Sequence, residues 1–281
     1  MRCLRFLISI ILYIKITSCI AQPYVDPLNI RYTNAFKVKD KAGTPFQHLY
    51  IGSDLPIKLR NNGLIVFSPF FDNWNIDSSD NKNFLPGVSS IALPVIAQIP
   101  LKNKNWFLTL VAIPRFNSEE LKLNSNAFQI GGIATINYKY NETLKYKLGV
   151  YVNREQFGVF VIPLAGIDWK INSRNYLFGL LPGRLTYEHK LSDHFYTGAT
   201  FRAITNSYLL NNGHYIRIDD NQLSAYLDYY ATKNIVVSAD AGYGIFRKLR
   251  EGNGRNKNYI KEYDWGDGLF VKLSASYRIR L

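Results

Sequence analysis

The chain has 281 residues, of which 47% are hydrophobic and 15% aromatic, and it carries a formal net charge of +13. That length allows one large domain, and the hydrophobic content excludes global disorder. Its 20 Tyr and 17 Phe favour strands and membrane–water boundaries. The basic residues are scattered rather than gathered into an arm or patch, which argues against nucleic acid and for anionic lipid headgroups or small anions as partners.

Residues 1–21 read as a secretory signal: Arg2 and Arg5 open it, Phe6–Ile14 is its apolar stretch, and Cys19-Ile20-Ala21 precedes Gln22 as a small-residue cleavage site. Lys15 interrupts the apolar run, so the segment is too short for a transmembrane helix. Ile16-Thr17-Ser18-Cys19 also loosely matches a bacterial lipoprotein box, under which Cys19 would carry lipid; cleavage after Ala21 has the better spacing. With Cys3 and Cys19 both inside this segment, cleavage after Ala21 leaves a domain of residues 22–281 with no disulfide, zinc-thiolate site or cysteine nucleophile. No later run reaches about 18 apolar residues, so any membrane crossing falls to strands.

Alternating runs predict strands at 28–37, 47–60, 64–71, 89–101, 106–115, 127–140, 145–153, 157–171, 176–181, 184–190, 195–208, 222–231, 235–247 and 269–281. The even-numbered connections are short and rich in turn residues: Asn61-Asn62-Gly63, Lys102–Asn105, Asn141–Leu144, Asn172–Asn175, Leu191–His194 and Thr232–Asn234. The odd-numbered ones are mostly long (38–46, 72–88, 116–126, 209–221 and 248–268), apart from 154–156 and Pro182-Gly183. This asymmetry is that of a bacterial barrel with short periplasmic turns and long external loops. The predicted fold is all-β, a transmembrane antiparallel up-and-down β-barrel of the bacterial outer membrane. Fourteen strands are preferred; reading 176–190 as one strand kinked at Pro182, and losing another, gives twelve as the runner-up. Aromatic residues near both strand ends, among them Trp106, Tyr138, Tyr229 and Tyr277 on one side and Phe116, Phe128 and Phe270 on the other, form two interfacial girdles.

The Ala21-Gln22 junction, Pro163–Lys170, Leu181–Leu191 and the closing Tyr277–Leu281 resemble outer-membrane β-barrel proteins of unassigned function from Bacteroidetes-type Gram-negative bacteria. The resemblance implies recognition by the barrel-insertion machinery through the final strand, with Tyr277, Ile279 and Leu281 as its signal. Such barrels usually end in an aromatic residue; this chain ends in Leu281.

The same alternation assigns a lumen face. Lys58, Arg60, Lys139, Lys145, Lys147, Lys170, Arg184, Lys190, Arg202, Lys272, Arg278 and Arg280 fall on it, against Asp54, Asp168, Glu188, Asp228 and Asp240. Arg60, Lys139, Lys145, Lys147, Lys170, Lys190, Arg278 and Arg280 sit near the short turns and define a basic collar favouring small anionic solutes; the competing reading is a closed interior in which bases and acids pair. The function these features imply is a passive channel or structural barrel, not an enzyme, without cofactor or metal, bathed in outer-membrane lipid. One alternative is a plugged, surface-binding barrel using loops 72–88 and 248–268. A second is a lipid-modifying barrel enzyme, for which only His48, His189, His194 and His214 exist and no Gly-x-Ser-x-Gly elbow occurs. The short pair 176–181 and 184–190 is only six or seven residues per strand, against about 9–11 for a tilted span. A low wall there would make a lateral notch for an apolar solute.

Overall fold

Period-two alternation does become a closed wall. The computed structural model describes residues 23–36, 44–60, 63–77, 86–254, 257–263 and 265–281; the expected signal (1–21) and Asn61-Asn62 of the first short turn lie outside them. The strands are β1 (Tyr24–Ala35), β2 (Phe46–Gly52), β3 (Leu55–Lys58), β4 (Leu64–Phe67), β5 (Phe70–Ile76), β6 (Val88–Ala92), β7 (Val95–Pro100), β8 (Trp106–Ser118) and β9 (Phe128–Lys139). They continue as β10 (Leu144–Glu155), β11 (Gly158–Lys170), β12 (Asn175–Leu181), β13 (Arg184–Lys190), β14 (Phe195–Leu209), β15 (His214–Tyr230), β16 (Ile235–Asn253), β17 (Tyr259–Tyr263) and β18 (Gly268–Arg280). β2 and β3, β4 and β5, and β6 and β7 are the two halves of single staves, and β17 is a loop strand that pairs with β16. Fourteen antiparallel staves remain, and β1 pairs with β18 to close the barrel. β12 and β13 are separate strands around Pro182-Gly183, so the twelve-strand reading is set aside.

The three split staves have one cause. Proline has no amide to give the ladder, and Pro69, Pro94 and Pro114 fall side by side on neighbouring staves. Their carbonyls still accept, from Ser53 N (3.0 Å), Ser68 N (2.9 Å) and Leu93 N (3.0 Å). A crease therefore runs across this side of the wall without opening it.

Polarity inverts along the staves. Over most of their length the outward residues are apolar, as with Leu28, Ile30 and Tyr32 on β1, Leu148, Val150 and Val152 on β10, and Leu269, Val271 and Leu273 on β18, all exposed. Near the long-loop end the apolar side turns inward. Phe46, Trp74, Ile76, Val88, Tyr208, Ile216, Ile218, Leu249, Trp265 and Phe270 pack into one buried cluster, while Gln47, Asn75 and Lys248 face out and are exposed. This upper part is a dome with a conventional core, capping a barrel with the opposite pattern.

The dome explains two strand ends that alternation misses. Asp219 pairs with Lys248 and Asn221 with Ile245, so Asp220 faces two residues, Phe246 and Arg247. This is a β-bulge, with Phe246 at φ 52. It reverses the facing of every later β16 residue, and Arg247 turns inward to bond Asp220 (2.7 Å). Consequently β15 starts at His214 and β16 runs to Asn253, where a long loop at 209–221 and a strand end at 247 were expected; only residues 210–213 connect β14 to β15. Likewise β5 continues to Ile76 through the expected loop 72–88.

Above the bulge β14 leaves the wall and crosses toward β8. Leu209 bridges Ser118 in parallel, and Glu119 N donates to Leu209 O (2.9 Å). β12 and β13, at seven residues each, stop below that level.

The low hairpin depends on Gly179, which has φ +148 and would place a Cβ 2.2 Å from the Arg184 carbonyl oxygen. Gly213 has φ +85 with open space around it. Gly179→Ala is therefore expected to destabilise the barrel by several kcal/mol and Gly213→Ala by about 1 kcal/mol, compared by urea midpoints in a detergent-refolded preparation.

Candidate functional site

The lumen is the site, and its charges fall into matched and unmatched sets. Near the short-turn end, Lys147 Nζ reaches Asp168 Oδ1 (2.7 Å). Arg278 bonds Asp26 (2.7 Å) and Asp228 (2.6 Å) and lies 3.7 Å over the Tyr24 ring. Arg280 pairs with Glu188, bonds Tyr230 Oη (2.8 Å) and lies 4.0 Å over Tyr196. Lys139 pairs with Glu142 and Lys190 with Asp193, both acids in the adjoining turns. Lys272 lies 3.5 Å from Asp240, and Asp54 accepts from Ser68 Oγ (2.7 Å). Lys145 stands opposite Lys139 in the ladder, and Arg60 and Lys170 are exposed at the rim. Burying an ion is repaid only when its partner is well placed, and these pairs are. Of the closing residues, Tyr277 points outward and exposed, Ile279 is half-buried, and Leu281 N bonds Pro23 O (2.9 Å).

Higher in the lumen three guanidiniums lack a carboxylate partner among the described residues. Arg184 and Arg202 are directly opposite each other on β13 and β14, where like charges repel. Arg184 bonds only neutral oxygens, Thr186 Oγ1 (3.2 Å) and Tyr24 Oη (3.5 Å), and is exposed to the lumen. Arg202 makes no ion pair among the described residues. Arg31, on β1, lies 4.4 Å over the Tyr50 ring and has a buried Nη2 without a hydrogen-bond partner. Arg31 was absent from the sequence-based set, although its alternation with Leu28, Ile30 and Tyr32 marks it as inward.

Opposite this cationic wall the lumen is apolar. Val66, Ile96, Val111, Ile133, Tyr151 and Ile162 are successive ladder partners from β4 to β11. All are inward and none is fully buried, so they line accessible space. Charge-by-charge reading of the sequence overlooked this row.

At the long-loop end a buried polar network ties the dome to β8, β9 and β10. Glu155 pairs with Arg115, accepts from Asn153, and takes both the amide (3.1 Å) and hydroxyl of Ser207 on β14. Asn117 Nδ2 and Gln129 Nε2 donate to Ser207 O at 3.0 and 2.8 Å. Glu155 is 2% exposed and Ser207 0%. Arg115 and Glu155 were not identified from sequence, because Pro114 and the turn at Gln156 disturb the alternation beside them.

The histidines are dispersed. His48 stacks on Trp74 (3.9 Å), His189 Nδ1 bonds Asn175 Oδ1 (2.7 Å), and His214 Nδ1 bonds Glu251 Oε1 (2.7 Å). Among the described residues no serine hydroxyl bonds an imidazole, and no three metal-ligating side chains converge.

A closed antiparallel wall, an apolar outer band and a charged interior define a porin-like β-barrel. Residues 70–280 match the family described as Domain of unknown function (DUF6268), and the chain belongs to that family. No curated protein matches its sequence. Among solved structures it is similar to the NanC porin, with 11% identity, 90% of this chain and 100% of that chain covered, and a TM-score of 0.41. It is also similar to the TodX monoaromatic hydrocarbon channel (deltaS2 mutant), with 10% identity, coverage of 92% and 90%, and a TM-score of 0.38. A third is the siderophore receptor PirA from Acinetobacter baumannii, with 10% identity, coverage of 84% and 63%, and a TM-score of 0.28.

Two expectations follow. Arg115→Met strands the buried Glu155 carboxylate and should cost about 3–5 kcal/mol; Trp74 and Trp265, both in the dome core, would report it as a fluorescence red shift at lower urea. Beyond the bulge and outside the apolar band, burial works to raise the Glu251 carboxyl, but hydrogen bonds from His214 and Tyr263 outweigh it and hold it below its ordinary value. A carboxyl depressed in the folded state lends stability that is complete above the ordinary Glu range and is lost as pH falls through the lowered value. Amide protection at 249–252 and 259–263 should therefore fall as the pH drops below the ordinary Glu range, and Glu251→Gln should remove that dependence.

Proposed function

We propose that this barrel spans a bacterial outer membrane and admits small anionic solutes, with Arg31, Arg184 and Arg202 as its selectivity site. One observation carries the reading: in an interior where most cations meet a carboxylate, these three do not, and an unmatched cationic cluster attracts anions. The basic collar of Arg60, Lys139, Lys145, Lys147, Lys170, Lys190, Arg278 and Arg280 supports it in a smaller way. Five of its eight members are neutralised by nearby acids, which leaves Arg60, Lys145 and Lys170 as the rim's contribution. The outward apolar band fits surrounding lipid, and the outward Tyr277 together with Ile279 and Leu281 offers the insertion machinery a terminal strand.

The dome favours a second reading, a surface-binding barrel with a plugged lumen. Its supporting feature is the β16–β17 hairpin, which stands clear of the band with Lys248, Ile260 and Glu262 exposed.

Planar-bilayer recording in a KCl gradient separates the two. The anion reading expects reversal potentials displaced toward chloride, and displacement lost in the Arg31→Gln, Arg184→Gln, Arg202→Gln triple variant. Cation preference overturns it. Silence in both wild type and the dome-loosened Arg115→Met also overturns it and leaves the surface-binding barrel.

A further inference from the structure

Two strand edges in the wall have no ladder neighbour among the described residues. Residues 158–164 of β11 pair with β10 on one side only, because pairing with β12 begins at Ala165 and Leu181. Facing them, β14 keeps its last bond to the low hairpin at Ala203 N to Gly183 O (2.9 Å). Residues 204–209 then pair with β15, with the single bridge from Leu209 to Ser118. The gap between these edges stands on the Leu181-Pro182-Gly183 turn. It is closed above by Arg217, whose guanidinium lies 4.1 Å over the Phe157 ring, and by the hydrogen bonds from Ser207 to Glu155.

The gap is level with the apolar band, since Val159 and Val161 beside it are among the most exposed hydrophobic side chains. In hydrocarbon every backbone amide and carbonyl needs a partner, and open strand edges are tolerated only where they line a water-filled cavity. Seven residues paired on one side only make an edge of roughly 23 Å. Such an edge belongs to an opening, with the dome core above it.

What lies behind the opening is amphipathic. Arg184 is the first residue after the turn and Arg202 stands opposite it, so two carboxylate-free guanidiniums sit just inside the sill. Leu180 is the ladder partner of Arg184. Ile162, on the open edge itself, begins the apolar row that continues through Tyr151, Ile133 and Val111 around the lumen. Ile204, packed against the dome core, forms the ceiling.

We propose that the gap is a side entrance from the lipid, and that the site behind it takes a hydrocarbon-chain monocarboxylate, its head on Arg184 and Arg202 and its chain along the row that starts at Ile162. Guanidinium forks bind carboxylates in two-point geometry, and the row supplies the dry surface that a chain needs. The inference rests on the anion reading above and narrows it to one solute class.

The test uses the full barrel in lipid nanodiscs with empty nanodiscs as the blank, and dodecanoate, dodecanol and acetate as probes. Dodecanoate should bind at least tenfold more tightly than either of the others. Arg184→Gln with Arg202→Gln should lose about tenfold for dodecanoate. Ile162→Asn should weaken dodecanoate several-fold and leave acetate unchanged. Independently of any variant, dodecanoate carrying a terminal diazirine should label wild-type residues 158–164 or 203–206. Dodecanol binding as tightly as dodecanoate, or labelling confined to the outer band elsewhere, overturns the proposal. If dodecanoate binds no better than acetate while chloride selectivity persists, the side entrance is wrong and the anion reading stands. Loss of both places the failure in the anion reading itself.

Discussion

The reversal of polarity along the staves governs this molecule. A strand can place its apolar side on either face of a sheet, and a single residue of slip exchanges the two. Here the lower staves face apolar side chains outward and the upper staves face them inward. The first arrangement is stable against hydrocarbon and the second against water. Where they meet, the chain uses its irregular devices: the proline crease, the bulge at Asp220, and the point at which β14 leaves the wall. The buried Arg115–Glu155–Ser207 network lies on the dome side of that boundary, where it fixes β14 against β8–β10 and so sets how far the lumen extends.

The interior shows how burial sorts charge. Lys147 is held by an acid, and Arg278 and Arg280 by acids and by aromatic rings, which leaves Arg60, Lys145 and Lys170 at the lower mouth. Arg184, Arg202 and Arg31 differ: among the described residues none of them meets a carboxylate, and Arg184 and Arg202 face each other. Leaving a buried charge unmatched costs several kcal/mol, a cost that a lumen accessible to water or to an anion reduces. The cationic half of the wall and the apolar half opposite it are also consequences of the ladder: cross-strand neighbours share a face, so each kind of side chain propagates from stave to stave.

Alternation made the barrel legible. All fourteen staves and the five short connections that lie wholly among the described residues appear where period-two patterning places them, including the two short strands around Pro182-Gly183. What escaped it has definite causes. β15 before Gln222 and β16 after Arg247 lie beyond a bulge that inverts facing, so a correct pattern there reads as a broken one. Trp74 and Ile76 are inward and apolar, the reverse of the rule that holds lower in the same stave. The charged lumen residues were legible as a face but not as pairs, because Arg278 meets Asp26 and Asp228 from three different staves. Pairing of that kind is set by the diameter and shear of the closed wall, which no local window contains.

The closure of the wall also bears on how the chain acquires its fold. β1 finds its partner in β18, and Asn29 bonds Ser276 across a sequence separation of 247. Every other seam joins neighbours in the chain, so a growing sheet can lengthen stave by stave through local hairpins with modest loop entropy. The last seam cannot form until the other thirteen staves are in place. Assembly is therefore polarised: local contacts accumulate early, and one very long-range contact comes at the end and joins the two outer edges of the sheet into a cylinder. Until that moment Tyr24–Ala35 and Gly268–Arg280 are unpaired on their outer sides, and those two segments are the ones a chaperone or an insertion partner would have to shield.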